Sequence, residues 1–542
     1  MGILDWFKGL FKSGNEPEVE EKEKEQTPSS PPESLKDHIA EDHPAEKGAG
    51  KGFGGGTPVQ LKAETPEGTA KAVESKEIGQ VKQSQKRIIP IRRGKADSLN
   101  IWVGLDLGTS SVKATYRVLG APEKKIHPLR INPESRENPF VLPSLGAFTE
   151  KGDLLLAEDA RRFLSESPWE EGVRYLKLLY AGQLDEEYYD EMIFTDFNKY
   201  CSKQGIEEDL AQPGCLLSVY IAAIIRKVRN DLSEVFRGSE LNINFNICLP
   251  IDTYEKEELR SGFQKMLNAA QVIEAGTPEK ATFTEMLARA PETLSAASPE
   301  KDAETRMHLI PEAVAQTASY VTSLGAEQKI HCVIDFGAGT TDFSIFNLAE
   351  EESQGKCTYW YNAKTFPGGT QRIENIIARH YRDKGKVLTH KEVANEIRSG
   401  VKDKELGRKV REVLETIWQE ARYPVWGKAY GKNKLQSSWM RDNVAVFVCG
   451  GGSRLPFVGE VFSKCWHQGD WGPYKVSRMK PPKDFDVSNK DFCRLSVAYG
   501  LSYPEPELNR YVLPSACPDQ TPQKIPAYVE PANQGAVYPD TH

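Results

Sequence analysis

Two segments of this 542-residue chain end an apolar run on an aspartate, turn tightly on small residues and return as a second apolar run. The first is Ile101-Trp-Val-Gly-Leu-Asp-Leu-Gly-Thr-Ser-Ser-Val-Lys-Ala-Thr-Tyr116. Gly108 lets backbone come close to a phosphate. The N–H groups of the turn, with the hydroxyls of Thr109, Ser110 and Ser111, can donate to phosphate oxygens. Asp106 can hold the waters of a Mg2+ ion, which takes carboxylate, water and substrate phosphate as ligands. The second segment, Cys332 to Phe346, repeats the layout: Asp335, the turn Gly337-Ala338-Gly339-Thr340-Thr341, then Asp342. Taken singly, each segment is also what an ordinary Gly-rich hairpin looks like. Taken together, they point to two lobes that face each other across a nucleotide.

A third segment, Val444-Ala-Val-Phe-Val-Cys-Gly-Gly-Gly-Ser-Arg-Leu-Pro456, reads as a strand, a turn of Gly450, Gly451 and Gly452, and a helix start. Glycines there permit close approach of a flat base and its ribose, and Arg454 can stack on the base. Standing alone, it also reads as a strand-to-helix turn that binds nothing.

These turns need strands to carry them, and the stretch from about Leu99 to Tyr503 alternates strand-like apolar runs with helical ones, an α/β pattern. The rest of the chain differs. Residues 14–98 hold one aromatic, Phe53, among Glu, Lys, Pro, Gly and Ser, which predicts a disordered linker. Residues 1–13 place Ile3, Leu4, Trp6, Phe7, Leu10 and Phe11 on one helical face with lysines off it. That pattern fits an amphipathic helix lying on a membrane surface, a docking peptide for a partner, or an inert terminus. Residues 506–542 read as a Pro-rich tail, extended and unpacked.

Composition removes whole classes. Hydrophobic residues make up 39% of the chain, and 70 Lys and Arg stand against 78 Asp and Glu for a net charge of −8. That balance argues against a nucleic-acid binder driven by bulk charge. No apolar run reaches the ~18 residues of a membrane span, and the apolar stretch at the start is too interrupted for a signal peptide. The nine cysteines lack metal-site spacing and read as buried free thiols of a reducing compartment.

In order and spacing the three segments resemble the phosphate-1, phosphate-2 and adenosine motifs of the actin/hexokinase/heat-shock-chaperone ATPase superfamily. Within it, residues 99–503 are similar to the nucleotide-binding domain of the heat shock protein 70 family. Pro143-Ser-Leu-Gly-Ala-Phe148 and Gly152–Ala160 resemble its proline-serine strand and helix entry. Val173-Arg-Tyr-Leu-Lys-Leu-Leu179 resembles the segment of its catalytic lysine, here Lys177. Glu312–Tyr320 and Val497-Ala-Tyr-Gly500 resemble its two connecting helices, and Phe366-Pro-Gly368-Gly369 its turn near sugar and phosphates. Arg422 matches a basic residue that contacts the ribose.

The resemblance implies a two-lobed, actin-like ATPase fold of duplicated ribonuclease-H-like domains, lobe I over 99–330 and lobe II over 331–505. It implies ATP and Mg2+ as ligands. Asp106, Asp335 and Glu312 would hold the metal through water. Thr109 and Thr340 would bond the phosphates, Lys177 would offset their charge, and Asp342 would polarise the attacking water. Read from the residues alone, Lys177 is also a solvated lysine on an amphipathic helix.

The departures matter as much. Ala338 stands at the middle of a glycine triple, Gly452 in place of a hydroxyl residue, and Thr370-Gln371 in place of an acidic pair. About thirty extra residues fall around 275–305, where Pro278, Pro291 and Pro299 punctuate helical pieces, which reads as a partner-binding insertion or a surface loop. After Tyr503 the family's peptide-binding domain is not expected to fit.

The expected function is therefore a slow, chaperone-like ATPase that lacks a peptide-binding domain. It would act as a nucleotide-dependent switch on a protein partner or co-chaperone in the cytoplasm. Residues 1–13 would offer a contact to the cytoplasmic membrane face. The second expectation is an actin-like, self-associating filament or membrane scaffold. A sugar or metabolite kinase ranks last, since no segment supplies a substrate pocket with a base.

Overall fold

A computed structural model describes residues 98–519, apart from 136–137, 302–304, 352–354, 468–470 and 484. The helix expected over 1–13, the linker up to residue 97 and the tail beyond 519 lie outside the described residues. The described chain is mixed α/β. Its strands are β1 (Ser98–Leu107), β2 (Ser111–Val118), β3 (Ile126–Pro128), β4 (Leu142–Pro143), β5 (Leu145–Phe148), β6 (Leu154–Leu156), β7 (Val173–Arg174), β8 (Glu240–Leu249) and β9 (Met307–Pro311). They continue as β10 (Ile330–Phe336), β11 (Thr340–Glu351), β12 (Gly355–Pro367), β13 (Val444–Cys449), β14 (Lys475–Ser477) and β15 (Arg510–Val512).

Two large sheets share one plan. The first runs β3-β2-β1-β8-β9, with β4 beside β2. Its β1–β2 and β2–β3 pairs are antiparallel, and its β1–β8 and β8–β9 pairs are parallel. The second runs β14-β13-β10-β11-β12-β15. There β10–β11 and β11–β12 are antiparallel, while β10–β13 and β13–β14 are parallel. The central strands β1, from Ile101 on, and β10 are buried at nearly every residue. A strand with a parallel neighbour and helices on both faces has no wet side, so its sequence runs apolar without alternation. A smaller sheet, β6-β5-β7, stands apart from both.

Helices complete three cores. The first sheet is covered by Pro213–Val235, Glu257–Gly276 and Phe283–Ala296. The second is covered by Thr370–Asp383 and Lys404–Ala421, with a nest of tryptophans at 418, 426, 439, 466 and 471. A third core joins the sheets through two helices, Glu312–Val321 and Asn489–Leu501. These pack without side-chain spacers. A Cβ on Gly500 would lie 1.9 Å from the Ala315 carbonyl oxygen, and one on Gly104 of β1 would lie 2.1 Å from that of Ala498. The Thr115 hydroxyl donates to the Ala498 carbonyl at 2.7 Å, so the helix is bonded to the sheet as well as pressed on it.

Two expectations are corrected. The stretch around 275–305 is not a loop. Thr282 and Glu285 close a capping box at the start of the Phe283–Ala296 helix, whose Met286, Leu287 and Ala290 are buried. Pro291 sits inside that helix without ending it. The strong cap and the apolar face outweigh one lost backbone bond. The tail, read as unpacked, is packed as far as it is described. β15 pairs with β12, Glu507 meets Arg117 at 2.8 Å, and Cys517 is buried in the second core. Leu508, Tyr511, Val512 and Leu513 supply the apolar area that the prolines around them obscure in a composition count.

All nine cysteines are free thiols and eight are buried. Among the described residues, no helix is long and apolar enough to cross a membrane. Because Gly500 meets backbone with no room for a methyl, Gly500→Ala is expected to lower unfolding free energy by about 2 kcal/mol or more in a urea titration. Gly459→Ala, which meets nothing within 4 Å, is expected to be neutral or slightly stabilising.

Candidate functional site

The two motif hairpins are built alike. In each the first turn glycine donates its N–H to the carbonyl three residues on: Gly108 to Ser111 at 3.1 Å, Gly337 to Thr340 at 3.0 Å. In each the aspartate stands directly across the ladder from the residue seven positions later. Asp106 faces Lys113, and Asp335 faces Asp342. The first pair is an ion pair at 3.0 Å. The second is two carboxylates, an arrangement that destabilises a sheet unless something else relieves it.

The turns meet. A Cβ on Gly339 would lie 2.5 Å from the Thr109 side-chain methyl, so the second turn lies against the first. Beside them opens a cavity of about 840 Å³. Its walls take Asp106, Gly108, Thr109, Ser110 and Ser111 from the first hairpin. Asp335, Gly337, Ala338, Thr340 and Asp342 come from the second. Gly450, Gly451, Gly452 and Arg454 come from the third motif, and Lys177 and Glu312 from two helices. Gly450 has φ +77°, and a Cβ there would sit 2.4 Å from an Asp335 carboxylate oxygen. Only glycine lets the turn pass that close.

Lys177 enters from the first turn of the Leu176–Leu184 helix, just after Tyr175 turns the chain through a left-handed conformation. Its ammonium donates to the Cys248 carbonyl at 3.3 Å and stands 3.8 Å from Glu312. Its side chain is 13% exposed, which overturns the reading of a solvated lysine. Burial disfavours its charge, but Glu312, Cys248, Asp106 and Asp342 outweigh burial and hold its pKa above the usual lysine range.

Three carboxyls are raised as well, which in their case disfavours the charged form. Burial raises Glu312 against the pull of Lys177. Burial, then the charges of Glu312, Asp342 and Asp106, hold Asp335 well above the carboxylate range, and Gln316 donates to it. Asp342 is pushed up to about 7 by burial and by Glu312. The hydroxyls of Thr340 and Thr365 donate to it at 3.1 and 2.6 Å and pull back.

Four expected contacts fall elsewhere: Gly339 packs on Thr109 and does not line the cavity. Gly368 and Gly369 are behind the second turn, outside the cavity wall. The Gly368 N–H donates to the Gly339 carbonyl at 2.7 Å, and a Cβ on Gly369 would lie 2.4 Å from the Gly337 oxygen. They brace the turn. Arg422 also lies outside the wall. It starts a short π-helical turn, donates to the Trp466 carbonyl and stacks on Tyr423. The Trp466 carbonyl and the Tyr423 ring hold that side chain. Gly452 does line the cavity, yet a Cβ there would meet Phe336 at 2.6 Å, so the hydroxyl residue of the chaperones has no room.

The structure adds Lys113, Gln316 and Thr365, with Lys490 and Arg494 farther along the wall. Counting register down the first hairpin finds Lys113, which stands where Asp342 stands in the second. Gln316 follows Glu312 by one helical turn. Thr365 faces Asp342 from β12, a pairing no local pattern announces. No protein-family model matches the chain, and no curated protein matches it.

A carboxyl whose folded pKa is raised weakens the folded state as pH climbs from its unfolded value, near 4, to its folded value, and no further above that. For Asp342 the window is about pH 4 to 7. Asp342→Asn is therefore expected to gain stability over the parent as pH rises through that window, by a few kcal/mol at most, and to hold a constant difference above it. Thermal melts of both proteins from pH 5 to 8 measure this.

Proposed function

We propose that the chain is an ATP-binding protein of two-lobed, actin-like fold, similar to the nucleotide-binding domain of the heat shock protein 70 family. It hydrolyses ATP slowly and acts as a switch on a protein partner. One observation carries the reading. Two sheets of the same plan present matched hairpin turns side by side over a cavity lined by five carboxylates, four of them at the turns, and by Lys177.

The donor set fits Mg2+ and phosphate. Asp335 and Asp342 oppose each other half-buried at the cavity wall, which a cation would relieve. Asp106, Asp335 and Glu312 are the residues to hold it, most naturally through water. Thr109, Ser110, Ser111 and Thr340 offer hydroxyls, and the two turns offer N–H groups, to phosphate oxygens. The metal ion, when bound, supplies charge neutralisation on those oxygens.

The chain's own groups do the rest by positioning. Lys177, charged and anchored on Cys248 and Glu312, offsets phosphate charge. Asp342, with a pKa near neutrality, can take a proton from an attacking water, and Thr340 and Thr365 hold its orientation. Gly450 to Gly452 with Arg454 form the wall for a base. Free, mostly buried thiols support a cytoplasmic setting.

Calorimetry of the full chain with Mg-ATP tests the reading. Heat of binding at one site is expected, and its absence overturns the proposal. Phosphate release without any added acceptor is expected too. Lys177→Ala should slow it about a hundredfold while ATP still binds. Unchanged turnover in that variant removes Lys177 from the chemistry.

A further inference from the structure

The wall beyond the third motif carries charge that ATP hydrolysis does not use. Lys490, Cys493, Arg494 and Val497 all line the cavity. Their spacing is one face of the Asn489–Leu501 helix. Arg454 lines the cavity beside them, and the charges of Arg494, Arg454 and Arg478 all bear on the Cys493 thiol. The cations therefore converge.

Arg478 is occupied by the Ser453 carbonyl at 3.0 Å. The side chains of Arg454, Lys490 and Arg494 have no hydrogen bond or ion pair among the described residues, and the Arg494 Nε is buried without a partner. Asp491, in the same turn of helix, is taken up by Ser488 and Asn138. Of the lining carboxylates, Asp106, Glu312, Asp335 and Asp342 belong to the hairpin end, and Glu374 accepts from the Tyr175 hydroxyl at 2.8 Å. An unpartnered buried guanidinium nitrogen is a costly feature to keep, and it is relieved by an anion.

We propose that the ligand of this cavity is a nucleoside triphosphate with a further phosphate on its ribose, held by Lys490 and Arg494. This rests on the nucleotide reading above. The hairpin turns take the triphosphate and Arg454 takes the face of the base. Two convergent cations then remain on the nucleoside side. A phosphate dianion matches them in charge and in acceptor number, where a ribose hydroxyl would not.

Calorimetry on the full chain compares Mg-ATP, ATP with a 2′- or 3′-phosphate, and ATP with added inorganic phosphate. One ribose-phosphorylated form is expected to bind about tenfold or more tightly than ATP. That ratio is expected to fall close to one in Lys490→Gln/Arg494→Gln. Lys490 is exposed, so Lys490→Gln alone, with a partial fall expected, serves if the double variant does not fold. Equal or weaker binding of both ribose-phosphorylated forms overturns the proposal, as does an advantage that survives the substitutions. Tighter ATP binding with inorganic phosphate but no gain from a ribose phosphate also overturns it, since the anion is then separate. If no nucleotide binds at all, the nucleotide reading itself falls and takes this one with it.

Discussion

Asp335 and Asp342 are held directly across an antiparallel ladder from each other, half-buried at the cavity wall, with Glu312 and Asp106 close by. Charges of one sign do not gather like this unless the backbone compels it. The compulsion comes from register. β10 is gripped by β11 on one side and β13 on the other, each paired along its length. Shifting one strand by a residue would turn every buried side chain of that strand to the wrong face. The repulsion is thus paid by the cores, and what remains at the hairpin tip is a site that gains from cations or protons.

The two hairpins solve the same geometry differently. The first sets a lysine across from its aspartate and is neutral as a pair. The second sets an aspartate there, leaving two facing carboxyls that gain from a proton or a cation. Lys177 then reaches in from a separate helix and shares its charge among the carboxylates. The result is lopsided: fixed compensation on the Asp106 side, open demand on the Asp335–Asp342 side. That asymmetry leaves one place, beside Asp335 and Asp342, where a cation is most wanted.

The same framework depends on distances that only missing side chains allow. The Asn489–Leu501 helix lies between β1 and the Glu312–Val321 helix, pressed on both through Gly104 and Gly500. It brings Glu312 to the carboxylates at one place and Lys490 and Arg494 to the cavity at another. Positive and negative ends of one cavity are therefore set by one packing event.

Much of this was legible in the chain itself. The three glycine-rich turns with Asp106, Asp335 and Asp342 are local patterns. A strand ending in a tight turn is decided by neighbours in sequence, and so is the apolar character of β1 and β10. Side-chain direction is not. Arg422 is held outside the cavity by the Trp466 carbonyl and the Tyr423 ring, Gly368 and Gly369 brace rather than line, and Lys177 is buried because Cys248 and Glu312, distant in sequence, close over it. The packed residues 508–517 escaped notice because an edge strand needs a partner strand to show its value. Sequence alone determined which residues could bind and turn. Only tertiary packing decided which of them share a cavity and which charges stay unpaired, because both depend on distances between segments far apart in the chain.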